Sequence, residues 1–413
     1  MVVYQSGSVS GVVALLGALK DFAVAQGATN NSYTTDGSGQ RLHLKLGSGY
    51  FNFKALVGEF IPGGAASALW AITGYGSTGY NGSNAWYDQP GGPKFGSTTY
   101  PVSGLHGLGT SPTPSPTINY HLFYVDRPRS PKVITVTGAT NASPIVITSN
   151  GHRLATGDRV AIASVGGNTA ANGTWEVTKV NANTFSLNGS TGNGSYTSGG
   201  TVTLLAECIY LVIEYPAGQF SRMMFGQLDR SETGEVAGAW FLTSQNQYNQ
   251  GNSPNPTLGF FGYGVKFGFN EGPRPAGMVY ATVDALTGWK ISRDNGNGSP
   301  ANGQQFAIDN TRKFQNLVNC APNAINSQTV GFPVGVFVTR DGTNQISSTT
   351  PWTLLGYLPE LYFCNIRNLS PAGQFAVGSD NYRAFPAYQK SDDAFTLGNP
   401  FLTQHVGYFI RES

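Results

Sequence analysis

The runs INYHLFYVD at residues 118–126 and CIYLVIEY at residues 208–215 decide how this chain folds. Both are dense in aromatic and β-branched residues, the types that suit a pleated, partly buried surface. They are expected to be neighbours in one antiparallel sheet. Between them, residues 132–204 change character and become rich in Val, Ile and Thr, punctuated by Gly and Asn. This stretch reads as a small β-module grown out of a hairpin loop. Its entry is the linker Pro128-Arg129-Ser130-Pro131 and its exit is residues 205–207. Loop-closure entropy rises slowly with length, so a host sheet tolerates such an insertion. A module that protrudes from a loop is placed for contact with something else. The expected division is a first host part (1–131), the module (132–204) and a second host part (205–413).

Composition narrows the class. A chain of 413 residues is ample for a buried core and long enough for two or three domains. The net charge of +2 sets up no field that would steer the chain to nucleic acid or to an anionic membrane. Charged residues make up 11% of the chain, against about 25% in ordinary soluble proteins. The surface must then be built from Ser, Thr, Asn and Gly, or be covered by other subunits. With 55 glycines and 12% aromatics, the composition is that of a loop-rich β protein with a real core. No secretory leader and no membrane span are expected, since the first apolar run is too short and lacks a basic segment before it.

Along the chain, Val13, Leu16, Leu19, Phe22 and Ala23 recur at helical spacing. Ser8 or Ser10 is available as the cap, and Gly27 as the stop. This helix is expected to be the first element and the only convincing one. A polar loop should follow, then a hairpin of residues 42–46 and 50–56 across Gly47-Ser48-Gly49. Residues 66–72 suit a strand, and beyond them Tyr75, Tyr80, Trp86 and Tyr87 sit in a long Gly- and Ser-rich loop. The module should hold six short strands, at 133–137, 145–148, 159–163, 174–180, 184–187 and 201–204, making a small barrel or sandwich. Later strands are expected at 220–228, 237–242, 278–284, 288–292, 332–338, 360–366, 384–388 and 405–410. The fold class that follows is mainly β, or α+β: an antiparallel host sheet with one N-terminal helix and an inserted β-module.

Motifs for chemistry are sparse. Gly74-Tyr75-Gly76-Ser77-Thr78-Gly79 matches GxGxxG, but Tyr80-Asn81-Gly82-Ser83 follows where a dinucleotide site needs a helix. None of His43, His106, His121, His152 and His405 has a second ligand at metal spacing, and a structural role is the expected one. Cys208, Cys320 and Cys364 are odd in number and far apart, which suits buried free thiols. Asp229 with Glu232, or Asp392 with Asp393, would serve glycoside hydrolysis only if they faced one groove. No cofactor, metal or catalytic residue is expected, and the chain is not read as an enzyme. Tyr80, Trp86 and Tyr87, with Trp240, are the candidate contact residues: such rings stack on sugars or pack at a partner surface. The competing and preferred reading is that they pin their own loops to the core.

The module also carries a resemblance. Gly151-His152-Arg153-Leu154, Thr156-Gly157-Asp158-Arg159-Val160, Gly166-Gly167-Asn168, Ala171-Asn172-Gly173-Thr174-Trp175 and Asn183-Thr184-Phe185-Ser186-Leu187 resemble a small β-domain of tailed-bacteriophage structural proteins. That domain is similar to the one named for a half-domain of ubiquitin-activating enzyme. The host looks like a tailed-phage virion protein at Gln40-Arg41-Leu42-His43-Leu44, Met224-Phe225-Gly226-Gln227-Leu228 and Gly407-Tyr408-Phe409-Ile410-Arg411. The resemblance implies a virion component of the tail tip or baseplate, made in the bacterial cytoplasm. Its implied partners are other virion proteins and copies of itself, with no nucleic acid and no membrane insertion. A host-glycan adhesin is the alternative, and a polysaccharide depolymerase a weaker one.

Overall fold

A computed structural model describes residues 1–59, 69–92, 104–107, 117–214, 220–229, 237–243, 245–246, 256–257, 277–283, 286–292, 305–308, 331–339, 352–366, 368–386 and 406–413. In chain order, strand β1 (Val2–Ser10) leads into helix α1 (Gly11–Ala25) and the strands β2 (Thr29–Asp36), β3 (Gly39–Leu46) and β4 (Gly49–Glu59). Then come β5 (Leu69–Ser77), β6 (Gly104–Gly107) and the long β7 (Thr117–Thr135). Strands β8 (Gly138–Ala139), β9 (Val146–Thr148), β10 (Arg159–Ala163), β11 (Gly173–Lys179) and β12 (Thr184–Leu187) belong to the module. The equally long β13 (Thr201–Glu214) and then β14 (Phe220–Gly226) return to the host.

Helix α1 forms where the apolar period placed it. Leu15, Leu16, Leu19, Phe22 and Ala23 are buried on one face. It stops because Gly27 takes φ +96, letting its N–H reach Val24 O (3.0 Å) while Ala28 N–H reaches Ala23 O (3.0 Å). Among the described residues it is the one α-helix, but it is not the first element. β1 precedes it, and the expected polar loop after it is β2. Neither VVYQSGSVS nor TNNSYTTD has an apolar alternation, because both lie largely exposed. Their strand conformation comes from backbone pairing with β7 and β3 respectively.

Strands β2 to β6 form an antiparallel meander in chain order. The β3–β4 hairpin turns through Gly47 and Ser48, with Leu46 opposite Gly49 and Gly47 at φ +55. The main sheet runs β1–β7–β13–β14, with Val125 opposite both Val2 and Cys208. It continues through Ala237–Thr243, Gly277–Val283 and Leu286–Ser292. One parallel pairing, to Gln305–Ile308, interrupts the antiparallel rule before Phe332–Thr339, Trp352–Asn365, Val406–Arg411 and Asp380–Pro386. The segment ending at Arg411 is thus tied into the host sheet as expected.

Alternation along β7 and β13 gives the sheet two buried faces. Ile118, Tyr120, Leu122, Ile209, Leu211 and Ile213 share a core with α1 and with Leu42, Phe51 and Phe53 of the meander. On the other face, His121 and Phe123 meet the ring of Phe385, centroids 5.2 and 6.0 Å apart, so the late strands fold back over the early ones. This is why 118–126 and 208–215 read as nearly continuous apolar runs. Glu360, the first residue of the expected strand 360–366, instead lies inside the strand Trp352–Asn365, at φ +54.

The module has its own core of Ile134, Val136, Ile145, Ile147, Leu154, Val160, Val177, Phe185, Leu187 and Val202. Its strands pair in the order β7–β13–β10–β11–β12–β9–β8, without closing a barrel. The segments read as entry and exit linkers are strand. Pro128 pairs with Leu205 and Val133 with Thr203, so residues 129–132 bulge opposite the single residue Leu204. Host and module therefore share two strands, because each side of the ladder holds the other extended.

Gly226 closes β14 beside this junction at φ +142, and a Cβ there would stand 2.2 Å from Glu207 O and 2.6 Å from Cys208 Cα. Gly226→Ala should destabilise the chain by on the order of 2–4 kcal/mol, since both conformation and space forbid the methyl group. Gly189 (φ +76) has nothing within 4 Å, and Gly189→Ala should cost only about 1–2 kcal/mol. Denaturant unfolding of the two variants measures the contrast.

Candidate functional site

Two places gather polar and aromatic side chains with enough order to do something. The first is the loop 78–92, held over the end of β5. Asn52 on β4 organises its base. His43 Nδ1 donates to Asn52 Oδ1 (2.7 Å), and Asn52 Nδ2 donates to Ser77 Oγ (2.9 Å), which donates on to Gly79 O (2.8 Å). Burial lowers the His43 pKa, so the imidazole is held neutral with its proton on Nδ1. The Tyr80 ring lies on this imidazole at 5.0 Å. Tyr75 holds the far side: its hydroxyl donates to Trp86 O (2.8 Å) and accepts from Gln89 N–H (2.9 Å). Burial pushes that phenol well above its ordinary value. The GxGxxG glycines Gly74 and Gly76 lie within β5, where no helix opens to receive a phosphate.

The four candidate contact residues take different positions. Trp86 is 5% exposed and belongs to the host core, with Tyr87 edge-on to it at 5.8 Å. It plugs its own loop. Tyr80 and Tyr87 are half-buried. Trp240 lies in Ala237–Thr243, its backbone opposite Gly226, and its side chain is outside the described residues.

The second place is the junction of host and module, which sequence reasoning missed. Glu207, on β13, is 3% exposed. Its Oε1 accepts from Tyr124 Oη (2.7 Å) and from Arg159 Nη1 (2.7 Å), and Arg159 Nη1 also lies 2.7 Å from Tyr124 Oη. Tyr124 is a host residue and Arg159 a module residue, so one carboxylate clamps the two together. Asp126 adds a longer contact to Arg159 (3.9 Å), and its backbone exchanges hydrogen bonds with Met1 at 2.7 and 2.8 Å. Lys45 of the meander reaches Glu176 of the module at 2.8 Å, a second tie on the outside. Arg127 pairs with Glu360 nearby.

Electrostatics at the junction follow from burial. Desolvation raises the Glu207 pKa, opposed by the bonds from Tyr124 and Arg159, and it raises Asp126 likewise. For Arg159 burial works against the charge, but Glu207, Tyr124 and Asp126 outweigh it and hold the guanidinium above its ordinary value. The one sequence signal was a lone Glu inside LLAECIYLVI, a charge that a buried strand carries only when paired. The sequence could not name Arg159, 48 residues away, as the partner. This carboxylate is buried and enclosed by its donors, so the arrangement fixes position.

The remaining expected positions are structural or undescribed. His121 Nδ1 bonds Tyr4 Oη (2.8 Å), and burial pushes its pKa down to about 4. His152 Nε2 donates to Asn181 O (2.9 Å) while Nδ1 accepts from Leu154 N–H (3.0 Å). Cys208 and Cys364 are buried free thiols, and burial raises both. His106 lies in β6. Cys320, Glu232, Asp392, Asp393 and His405 lie outside the described residues, so neither carboxylate pair can be placed. Among the described residues no three His, Cys, Asp or Glu side chains converge as a metal group, and no helix is long and apolar enough to cross a membrane.

Comparison with known proteins bears on the module. Residues 143–205 match the family described as the ubiquitin-activating enzyme E1 FCCH domain. The module is similar to that domain, in line with the resemblance carried by the motifs from Gly151 to Leu187. The match leaves the host outside it. No curated protein matches the chain. Among solved structures, the phage phi92 endosialidase aligns at 9% identity and a TM-score of 0.15, over 89% of this chain and 66% of that chain. A likeness of that size carries no argument about fold or activity.

Arg159→Met should leave Glu207 buried without its cation, at a cost of about 1–3 kcal/mol given that Arg159 is itself partly solvated. The variant should also change the pH profile. A carboxyl whose folded pKa lies above its unfolded value of 4.5 binds more protons when folded, so its contribution is fullest below that value. That contribution is lost as pH rises through the folded pKa. The variant should therefore lose more stability than the parent between about pH 4 and pH 7, and Glu207→Gln added to it should flatten the difference. Thermal unfolding across that range measures this.

Proposed function

We propose that this chain is a structural subunit of a tailed-bacteriophage virion, placed at the tail tip or baseplate and working through protein–protein assembly. The observation that carries the reading is the mounting of the module. An E1 FCCH-type β-module extends two central host strands and is clamped by Arg159 on Glu207, so it projects at a set angle rather than on a tether. Such a mount suits a part that must hold its geometry in a large particle. The 11% charged composition supports burial against neighbours, since interfaces are depleted in charge and enriched in aromatics. The partners in this reading are other virion proteins and copies of the chain itself, with no nucleic acid, no membrane insertion and no catalytic role.

Tyr80 and Tyr87 favour one alternative. Half-buried tyrosines on a stiffened loop suit stacking on a sugar, so a host-glycan adhesin is the second reading. A glycan array with the free protein and a sugar-release assay test adhesion and depolymerase activity. The placement itself is tested by antibody labelling of particles from the strain that carries the gene. Label at the tail end is expected, and unlabelled particles overturn the reading.

The module is proposed to fold on its own core, with domain limits 1–131, 132–204 and 205–413. Replacing 132–204 by a short Gly/Ser linker should leave one cooperative unfolding transition. A non-cooperative product in denaturant would mean that host and module form one folding unit.

A further inference from the structure

Strand β1 is paired on one side. Its register against β7 runs unbroken from Val2 opposite Val125 to Ser10 opposite Thr117. Among the described residues its only ladder is the one with β7, and β10, the other strand of the sheet order beside it, has both edges filled by β11 and β13. Gln5, Ser6, Gly7 and Ser8 are all exposed. Neighbouring strand residues point to opposite faces, so four exposed in a row leave the strand accessible from both faces, with the Tyr120 hydroxyl lying against Gln5 and Gly7 on one of them. Native proteins blunt such an edge with lysine, proline, a bulge or a cover. The nine residues VVYQSGSVS carry no charge and no proline, and their ladder shows no bulge. The edge is left competent to pair.

We propose that the free edge of β1 pairs antiparallel with β1 of a second copy, about a two-fold axis at Ser6. Two features of the strand select a second copy over a foreign segment. The first is self-complementary bulk. Centred on Ser6, Val3 faces Val9, Tyr4 faces Ser8 and Gln5 faces Gly7, so valine meets valine and each long side chain meets a small one. Opposed residues stand close enough for this matching to decide the register. Val3 and Val9 are only half-buried against the host core, and the pairing covers what remains of them. The second feature is the absence of charge. In a two-fold contact the residue on the axis meets its own copy, so a Lys or Glu at position 6 would face itself, and a charge elsewhere on the strand would recur twice across the contact. Gly7 also has a fixed role, because the Tyr120 ring crosses it and a Cβ would lie 2.5 Å from Tyr120 Oη.

The paired strands join two main sheets into one. The inference rests on the self-assembly part of the proposed function, and its test is separate from it: particle labelling addresses placement, whereas edge variants of the free chain address β1. Sedimentation equilibrium of the full chain should show a reversible dimer. Ser6→Lys and Ser6→Glu should each weaken it, by about fivefold or more, because like charges face across the axis. An equimolar mixture of the two should regain the parent's affinity. Under oxidation Ser6→Cys should cross-link to dimer, since directly opposed Cα atoms fall within disulfide range, and Ser8→Cys, which faces Tyr4, should not. All variants should unfold as the parent does, as expected for exposed positions. A parent that stays monomeric up to about 1 mM overturns the proposal. So does a dimer that Ser6→Lys leaves unchanged, or one that Ser8→Cys cross-links as well as Ser6→Cys.

Discussion

The ladder between β7 and β13 is the constraint on which the rest depends. It runs from Asn119 opposite Glu214 to Thr135 opposite Thr201, interrupted by one bulge. Below the bulge its residues are the centre of the host, buried on both faces. Above it the same strands enter the module core through Ile134 and Val202. Because a pair of hydrogen-bonded strands is extended and resists bending along its axis, whatever orients the lower half also orients the upper half. The module's bearing on the host is thus a property of backbone pairing, before any side chain is considered.

Side chains then remove the freedom that a bulge would introduce. Glu207 sits just below it, and Tyr124 and Arg159 reach it from host and module. A buried carboxylate is costly unless its acceptor sites are used. The cost makes the cluster directional: only a module position that brings Arg159 within bonding distance relieves it. The Lys45–Glu176 pair is more exposed and contributes less, but it ties the module to the other host sheet.

Much of this was legible in the sequence. The pairing of 119–126 with 207–214 followed from apolar runs that only a doubly buried strand carries. The module strands 159–163 and 184–187 have the limits that turn chemistry set, because Gly and Asn punctuate them on both sides. α1 was readable from its period and its Gly27 stop. β1 and β2 were not, since edge strands rich in Ser, Thr and Asn have no alternation to read. The pinning role of Trp86 was anticipated, whereas the bonds that Tyr75 makes to the loop backbone were not, because they join residues 11 and 14 apart through a hydroxyl.

By itself the sequence determined the class of the protein: mainly β, with one α-helix among the described residues, a module between two host strands, and no local motif for a cofactor. Those properties live in periodicity, composition and turn residues, which act over a few positions of the chain. Tertiary structure alone decided how the module is attached. Residues 128–131 have the Pro-rich look of a linker, yet the chain continues as strand because β13 lies beside it. The meeting of Tyr124, Glu207 and Arg159, and the open edge of β1, were decided the same way. Hydrogen-bond partners and burial are set by segments far apart in sequence, and no local signal encodes which of them will meet.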